Sequence, residues 1–590
     1  MARQSNRARL DLHDALSRGT YDNAVLCTYM FEPRFFEDYC LERFKTLSEN
    51  NNISVCTDRW TYHHIALAPE SQRPKKVNLR YLLTPIDTNG RFHPKLYLFT
   101  TKTSGRLIVG SCNFTRHGLT LNAELANVFD FEAEKDETHL PIFQDAFGFI
   151  QALADRWPSM SFAGNVGAMR RSTPWLKEPA GDGSRRVRLL HNLEQPLWNQ
   201  IAAIVPRPVG RVHIISRFFD QTPSLVDKLM KAFAPAKLLI YTQNGVTTMT
   251  RQWLDHADIK SGRAEVLLCT YEDDEHQQPL HAKAMVFETG DSRTLVYGSA
   301  NFTTAALFSH GRSGNVETVV VVPDVSARKL NSSRFCDPSG SACRLVKPEQ
   351  LESAPLEQKE HLPALPIHLI EADLAGDALT IRAELPRHFQ VDQLVAKLEI
   401  QGLSRMIPVE QVSQEHLVAK VPAQAQARLQ QSSGLVSLQS GEQPLSNVVF
   451  VTNLLDINTQ SSVRKERHIQ EATESASQFF AVLNDLLRAG DDAALLTFLN
   501  FCDIPLVNSE RAPVPRYRPI WQEHDSMRQL GERNLQICKT LHEATLKFFE
   551  RHLRKLKRHT ESLSVDGIGN FLQIFFYPWG VYCATRSNES

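Results

Sequence analysis

The chain has 590 residues, with 66 basic and 66 acidic side chains, 42% apolar positions and 8% aromatic ones. That length is ample for several buried cores, and 27 Gly with 30 Pro exclude a collagen-like or largely disordered chain. A formal charge of zero excludes a surface that binds polyanions everywhere, so any affinity for nucleic acid has to come from a local patch.

The start, MARQSNRARLDLHDALSRG, has no apolar segment of the kind that directs secretion. The ten cysteines include no C-x-x-C pair, and those in runs such as AVLCTY read as buried, reduced thiols, so a cytoplasmic protein is expected. No run reaches the ~20 apolar residues that a bilayer span needs.

Ala24–Phe31 reads as a strand, Pro33–Leu47 as an amphipathic helix, and Ile53–Cys56 and Val77–Pro85 as short strands. His63-His64 reads as a surface or strand pair rather than metal ligands. Residues 93–115, HPKLYLFTTKTSGRLIVGSCNFT, follow. Arg170–Arg186 is rich in Pro, Gly, Ser and charge and reads as a linker. The pattern then repeats: Val212–Phe219, Pro223–Phe233, Lys237–Tyr241 and Glu265–Tyr271 again read β-α-β-β, with Arg34-Phe35-Phe36 echoed by Arg217-Phe218-Phe219. The acidic run Tyr271–His276 reads as a solvated loop. Residues 281–303, HAKAMVFETGDSRTLVYGSANFT, align with 93–115 without a gap, and in both copies Lys follows His by two and Gly-Ser begins seventeen after it.

A second break at 336–366 leads into short alternating apolar runs over 367–455, which predict a small β-sandwich-like module. Residues 456–590 turn helical, with a basic stretch at Arg551–His559 and an apolar Gly567–Tyr582. The expected organisation is thus 1–169 and 187–335 as two α/β halves about a pseudo-twofold axis, joined by 170–186, then the β module and an α-helical C-terminal domain.

Phosphodiester cleavage needs a nucleophile, a proton for the leaving oxygen, and donors around the phosphate. The repeated H-x-K and G-S-x-N elements supply all three twice. His93 and His281 have the residue type for attack and protonation, Lys95 and Lys283 for permanent charge, and Ser111, Asn113, Ser299 and Asn301 for hydrogen bonds to non-bridging oxygens. Taking Arg91–Phe99 and Pro279–Phe287 as strands, each His and its Lys share a face, and Gly110 and Gly298 let the backbone approach an anion. No metal and no cofactor is called for.

The paired motifs resemble the phospholipase D superfamily over roughly residues 20–325. The resemblance implies two phospholipase D-like halves, a phosphohistidine intermediate, and histidine-orienting acids at Glu124 and Glu317, assigned to His93 and His281 in that order. The family's H-x-K-x4-D pattern is broken by Thr100 and Glu288, which favours a nuclease-like over a lipid-type branch, and analogy makes His93 the nucleophile. The expectation is a metal-independent nuclease acting on DNA or RNA, of the kind that serves restriction or phage defence. The alternatives are a phospholipase or phosphatidyltransferase acting on lipid, and a catalytically weak nucleic-acid-binding subunit docking a helicase or other protein partner through the C-terminal domains.

Overall fold

The computed structural model describes residues 21–453, apart from 42–51, 136–137, 158, 178–186, 271–277, 327–342, 346–349, 356–364, 387–393 and 414. The expected helical domain at 456–590, with its basic and apolar stretches, and the acidic run before the second motif lie outside these residues. No helix among the described residues is long and apolar enough to cross a membrane.

The first sheet contains β1 (Asn23–Thr28), β2 (Asn52–Asp58), β3 (Leu82–Ile86), β4 (Lys95–Thr100), β5 (Ser104–Gly110) and β6 (Ala126–Glu132) in the order β3-β2-β1-β4-β5-β6. The second contains β7 (Arg188–His191), β8 (Arg211–Ile215), β9 (Lys237–Thr242), β10 (Ala264–Cys269), β11 (Ala284–Thr289), β12 (Ser292–Gly298), β13 (Thr318–Val322) and β14 (Cys343–Leu345) in the order β14-β10-β9-β8-β11-β12-β13-β7. Without β14 and β7 at its edges, the second repeats the first. In each, three parallel strands are followed by three antiparallel ones. Among the helices packed around them are α1 (Arg59–Leu67), α2 (Leu140–Arg156), α3 (Met160–Ser172) and α4 (Ser224–Phe233).

Strand alternation explains why these strands are apolar on both faces. Val25, Cys27, Leu96 and Leu98 of the first sheet share one core with Ile215, Tyr241, Ala284 and Val286 of the second. Their chain neighbours Ala24, Leu26, Tyr97 and Phe99 fill a second core, and Ile214, Ile240, Met285 and Phe287 a third. The sheets therefore meet through a common interior, which brings the two motifs together.

Two expectations change. Residues 170–177 are not linker: α3 continues through Ser172, and the Trp175 ring lies 4.4 Å from Phe131 and 5.5 Å from Phe143 in the shared core. Burying that indole, whose Nε1 donates to Thr101 O at 3.1 Å, outweighs the loop-like composition around it. The later β region is β15 (His368–Ala375), β16 (Ala378–Glu384), β17 (Val395–Ile400), β18 (Leu403–Gln411), β19 (His416–Lys420), β20 (Gly434–Ser440), β21 (Gln443–Pro444) and β22 (Val449–Asn453). These pair in the order β17-β18-β19-β16-β15-β22-β20-β21, and a β17–β20 pairing joins the run back on itself. The result is one closed ring around an apolar interior rather than the two facing sheets of a sandwich; the same alternation serves either. The ring packs on the first half, where Phe450 N donates to Tyr62 Oη of α1 at 2.9 Å.

Candidate active site

His93 and His281 stand just before β4 and β11, which start at Lys95 and Ala284 rather than at Arg91 and Pro279. Each lies in an extended segment pinned to the opposite half. Phe92 forms a parallel bridge with Val316, and His93 N donates to Val316 O at 2.9 Å; Leu280 pairs likewise with Ala123, and His281 N donates to Ala123 O at 3.0 Å. The residue after each bridge partner is an acid, so register alone sets Glu317 beside His93 and Glu124 beside His281. The Nδ1 atoms lie 2.9 Å from Glu317 Oε2 and 2.7 Å from Glu124 Oε1. The expected pairing of Glu124 with His93 and Glu317 with His281 is therefore reversed. A repeat whose copies carry the same parts does not distinguish pairing within a half from pairing between halves.

Each carboxylate has its own cradle. Ser111 Oγ donates to Glu124 Oε2 at 2.5 Å and Asn122 Nδ2 to Oε1 at 3.1 Å; Ser299 Oγ donates to Glu317 Oε2 and Asn315 Nδ2 to Oε1 at 3.1 Å. The serine oxygens accept the N–H of Leu125 and Thr318, both at 3.0 Å. A hydroxyl has one proton to give, so Ser111 and Ser299 position the acids and do not face the phosphate as expected. Asn122 and Asn315 went unseen in the sequence, although N-x-E recurs two residues ahead of each acid. Gly110 and Gly298 also serve a different purpose: a Cβ on either would lie 2.5 Å from Leu125 O or 2.4 Å from Thr318 O. The missing side chain admits the neighbouring strand, not an anion.

Lys95 Nζ donates to His93 O at 2.7 Å, and Lys283 Nζ to His281 O. Both ammonium groups are buried, which pushes Lys95 well below its ordinary pKa and Lys283 down to about 8. Burial pushes both imidazoles down to about 4 against the pull of their carboxylates, and each ring also feels the ammonium of the other half, His93 that of Lys283 and His281 that of Lys95. The two motifs therefore share one electrostatic centre. Burial raises Glu124, but His281 and Lys283 more than reverse this and hold it at about 2. Asn113 Oδ1 accepts Met30 N at 3.4 Å, while Asn301 Oδ1 is buried without a partner.

The residue ahead of each histidine is held from its own half. Phe92 N donates to Asp58 Oδ2 at 2.7 Å and Leu280 N to Gln243 Oε1 at 2.6 Å. Thr28 and Ser216 occupy matching places, since their hydroxyls accept Phe114 N at 2.9 Å and Phe302 N at 3.3 Å. That match aligns Arg217-Phe218-Phe219 with Tyr29-Met30-Phe31, not with Arg34-Phe35-Phe36; Arg34 is exposed on a short turn beyond. Arg217 is near enough for its charge to lower Lys283. Thr100 and Glu288 lie at the far ends of β4 and β11, bonded to Asn23 and Thr173 and to His213 and Arg293, so their departure from the family pattern leaves the site untouched. His63 and His64 sit on α1, with the His64 ring 4.1 Å from Trp60. Among the described residues the one group arranged to hold a metal is Asp227, His256 and Asp258, none of them a residue of this site.

No family model matches the chain, and no curated protein matches it. Among solved structures it is similar to yeast tyrosyl-DNA phosphodiesterase, at 12% identity and a TM-score of 0.38 over 53% of this chain and 86% of that one. Polyphosphate kinase from Porphyromonas gingivalis gives 13% and 0.35 over 59% and 48%, and Nuc from Salmonella typhimurium, a phospholipase D family member, gives 16% and 0.18 over 24% and 83%. At these identities and scores the likeness carries nothing about substrate. The doubled H-x-K and G-S-x-N motif, whose two copies build a single centre, resembles that of the phospholipase D superfamily.

Proposed function

We propose that this protein is a phosphodiesterase that cleaves nucleic acid, DNA in the first instance, through a phosphohistidine intermediate. The observation that carries the reading is the reciprocal arrangement of two imidazoles, each bound through Nδ1 to the other half's carboxylate and each under the field of the other half's ammonium. With the Nδ1 proton shared with a carboxylate, Nε2 is left as the lone pair that attacks or the site that carries the transferable proton.

In this mechanism His93 Nε2 forms a bond to phosphorus and the bond from phosphorus to the leaving oxygen breaks. The leaving oxygen takes the proton from His281 Nε2. Water then attacks phosphorus while His281 takes a water proton, and the N–P bond breaks to release the product and His93. Lys95, Lys283, Asn113 and Asn301 stabilise the non-bridging oxygens. Both rings are neutral near pH 7 in the empty site, given a pKa of about 4 for each. A phosphodiester anion offsets the ammonium groups and raises both rings, so the acid's proton arrives with the substrate.

The test is cleavage of single- and double-stranded DNA, RNA and phospholipid vesicles with and without EDTA. The expected result is nucleic-acid cleavage that survives chelation and is lost in His93→Ala and His281→Ala. A quench in acid and in base, followed by mass analysis, should recover an acid-labile, base-stable phosphate on His93. Lipid turnover alone would sink the substrate assignment, and loss of cleavage with EDTA the metal-independent one. The defence setting is tested by phage plaque counts on a host carrying the wild-type or the His93→Ala chain; equal counts reject it.

A further inference from the structure

The halves differ most in what stands beside each imidazole. On the His93 side the Tyr29 ring lies 5.3 Å from the imidazole and 5.6 Å from Lys95 Nζ. Arg91 Cζ comes next, 5.9 Å from the Tyr29 ring and 5.7 Å from the Trp60 ring, and Trp60 in turn lies 4.1 Å from His64. Tyr29, Arg91 and Trp60 are partly exposed, and His64 is exposed. The row runs from the reacting centre to the surface.

One acid fixes the row in place. Asp58 Oδ1 accepts Trp60 N at 2.9 Å as the cap of α1, Oδ2 accepts Phe92 N at 2.7 Å, and Arg91 Nη1 lies 3.9 Å from Oδ1. Trp60, Arg91 and the backbone carrying His93 are therefore tied to the same carboxylate. On the other side Arg217 stands in the place of Tyr29, and the motif alignment puts Pro279 in the place of Arg91. The row has no counterpart among the described residues of the second half.

π faces interleaved with a guanidinium suit a ligand that alternates flat bases with phosphates. A duplex keeps its base faces stacked on each other, and a phospholipid has no flat groups to offer. We infer, on the nucleic-acid reading above, that Tyr29, Arg91 and Trp60 form an extended subsite for unpaired nucleotides on one side of the cleaved phosphate. Bases stack on Tyr29 and Trp60, and Arg91 takes the phosphate between them. The strand then enters in one direction only, with its base-reading arm on the His93 side.

The test uses the full chain carrying His281→Ala, which keeps the strand intact, and fluorescence anisotropy with a labelled oligothymidylate of about 12 nucleotides, an abasic strand of the same length and a duplex. The expected result is affinity for the thymidylate about 10-fold above that for the abasic strand and the duplex. Adding Trp60→Leu should remove most of that preference, and adding Arg91→Gln should reduce the salt dependence by about one ion. Equal affinity for normal and abasic strands in the parent, or a preference and salt slope unmoved by both substitutions, overturns the subsite and leaves the nuclease reading standing. Should no strand bind while the wild-type chain still cleaves methyl p-nitrophenyl phosphate, the nucleic-acid reading fails and the subsite falls with it. If Trp60→Leu does not fold, as judged by its melting temperature, the Arg91→Gln slope decides.

Discussion

The two α/β halves share their chemistry and differ in their surroundings. His93 with Lys95 and His281 with Lys283 have the same bonds, the same cradle of Ser and Asn around an acid, and the same depressed imidazole pKa. The residue ahead of the histidine is held by Asp58 in one half and Gln243 in the other, and the neighbouring position is Tyr29 in one and Arg217 in the other. On the proposed phosphodiesterase reading, what is duplicated is what an in-line displacement needs on both sides of phosphorus, and what differs is what a substrate with two unlike ends needs.

The comparison breaks most visibly at the histidines. His93→Ala and His281→Ala should each lower kcat by about 10^4-fold, because the proposed mechanism makes attack and protonation separate tasks on opposite sides of phosphorus. Only one of the two should abolish the trapped phosphohistidine while the other lets it accumulate from a substrate with a good leaving group. If both variants trapped phosphate equally, the halves would be interchangeable.

A second experiment addresses the crossed pairing. Glu317→Gln and Glu124→Gln should each cost about 10^3-fold by leaving the imidazole unoriented. In a double-mutant cycle on kcat/KM, Glu317→Gln should cost little more once His93 is Ala, and Glu124→Gln once His281 is Ala. Strong coupling of His93 to Glu124 instead would contradict the geometry.

The pH profiles sharpen the symmetric part. kcat/KM reports the free site, where both imidazoles titrate at about 4, whereas kcat reports the complex, where the bound phosphate has raised them. The alkaline limb of kcat should therefore lie at higher pH than that of kcat/KM, and coincident limbs would reject the proton's arrival with substrate.

Stability should follow the same groups. Each ring has a folded pKa of about 4 and an unfolded one near 6.5, so the unfolded chain binds more protons in that window. Stability is then lost as pH falls from 6.5 towards 4, on the order of 3 kcal/mol for each ring. Glu124, held at about 2, adds stability that is present above its ordinary range near 4.5 and lost as pH falls through 2. Denaturant titrations across pH 4–7 should show a slope that shrinks in the His93→Ala, His281→Ala double variant. The smallest expected effect is at the cradle, where Ser111→Ala should cost about 10-fold in kcat/KM by removing one hydrogen bond to a charged acceptor.

Much of the core was legible from the repeat. Matched H-x-K and G-S-x-N spacing located both histidines and both lysines, and the apolar runs located β1, β2, β8, β9 and β10, because strands buried on both faces leave near-continuous apolar stretches. Pairing across the halves was not legible. It depends on the bridges from Phe92 to Val316 and from Leu280 to Ala123, and long-range register has no trace in local pattern. The serines were misread for a related reason: a hydroxyl beside a motif looks the same whether its proton goes to a substrate or to a carboxylate several residues on. Trp175 shows the opposite failure, since one buried ring overrode the Pro and charge of residues 170–177.

The crossed carboxylates also bear on synthesis. A ribosome releases residues 1–169 well before Glu317 and His281 exist, and at that stage His93 has no acid to set its tautomer and no partner to protonate a leaving group. On the nuclease reading proposed above, the complete site thus exists only once the final acid has been made and has docked.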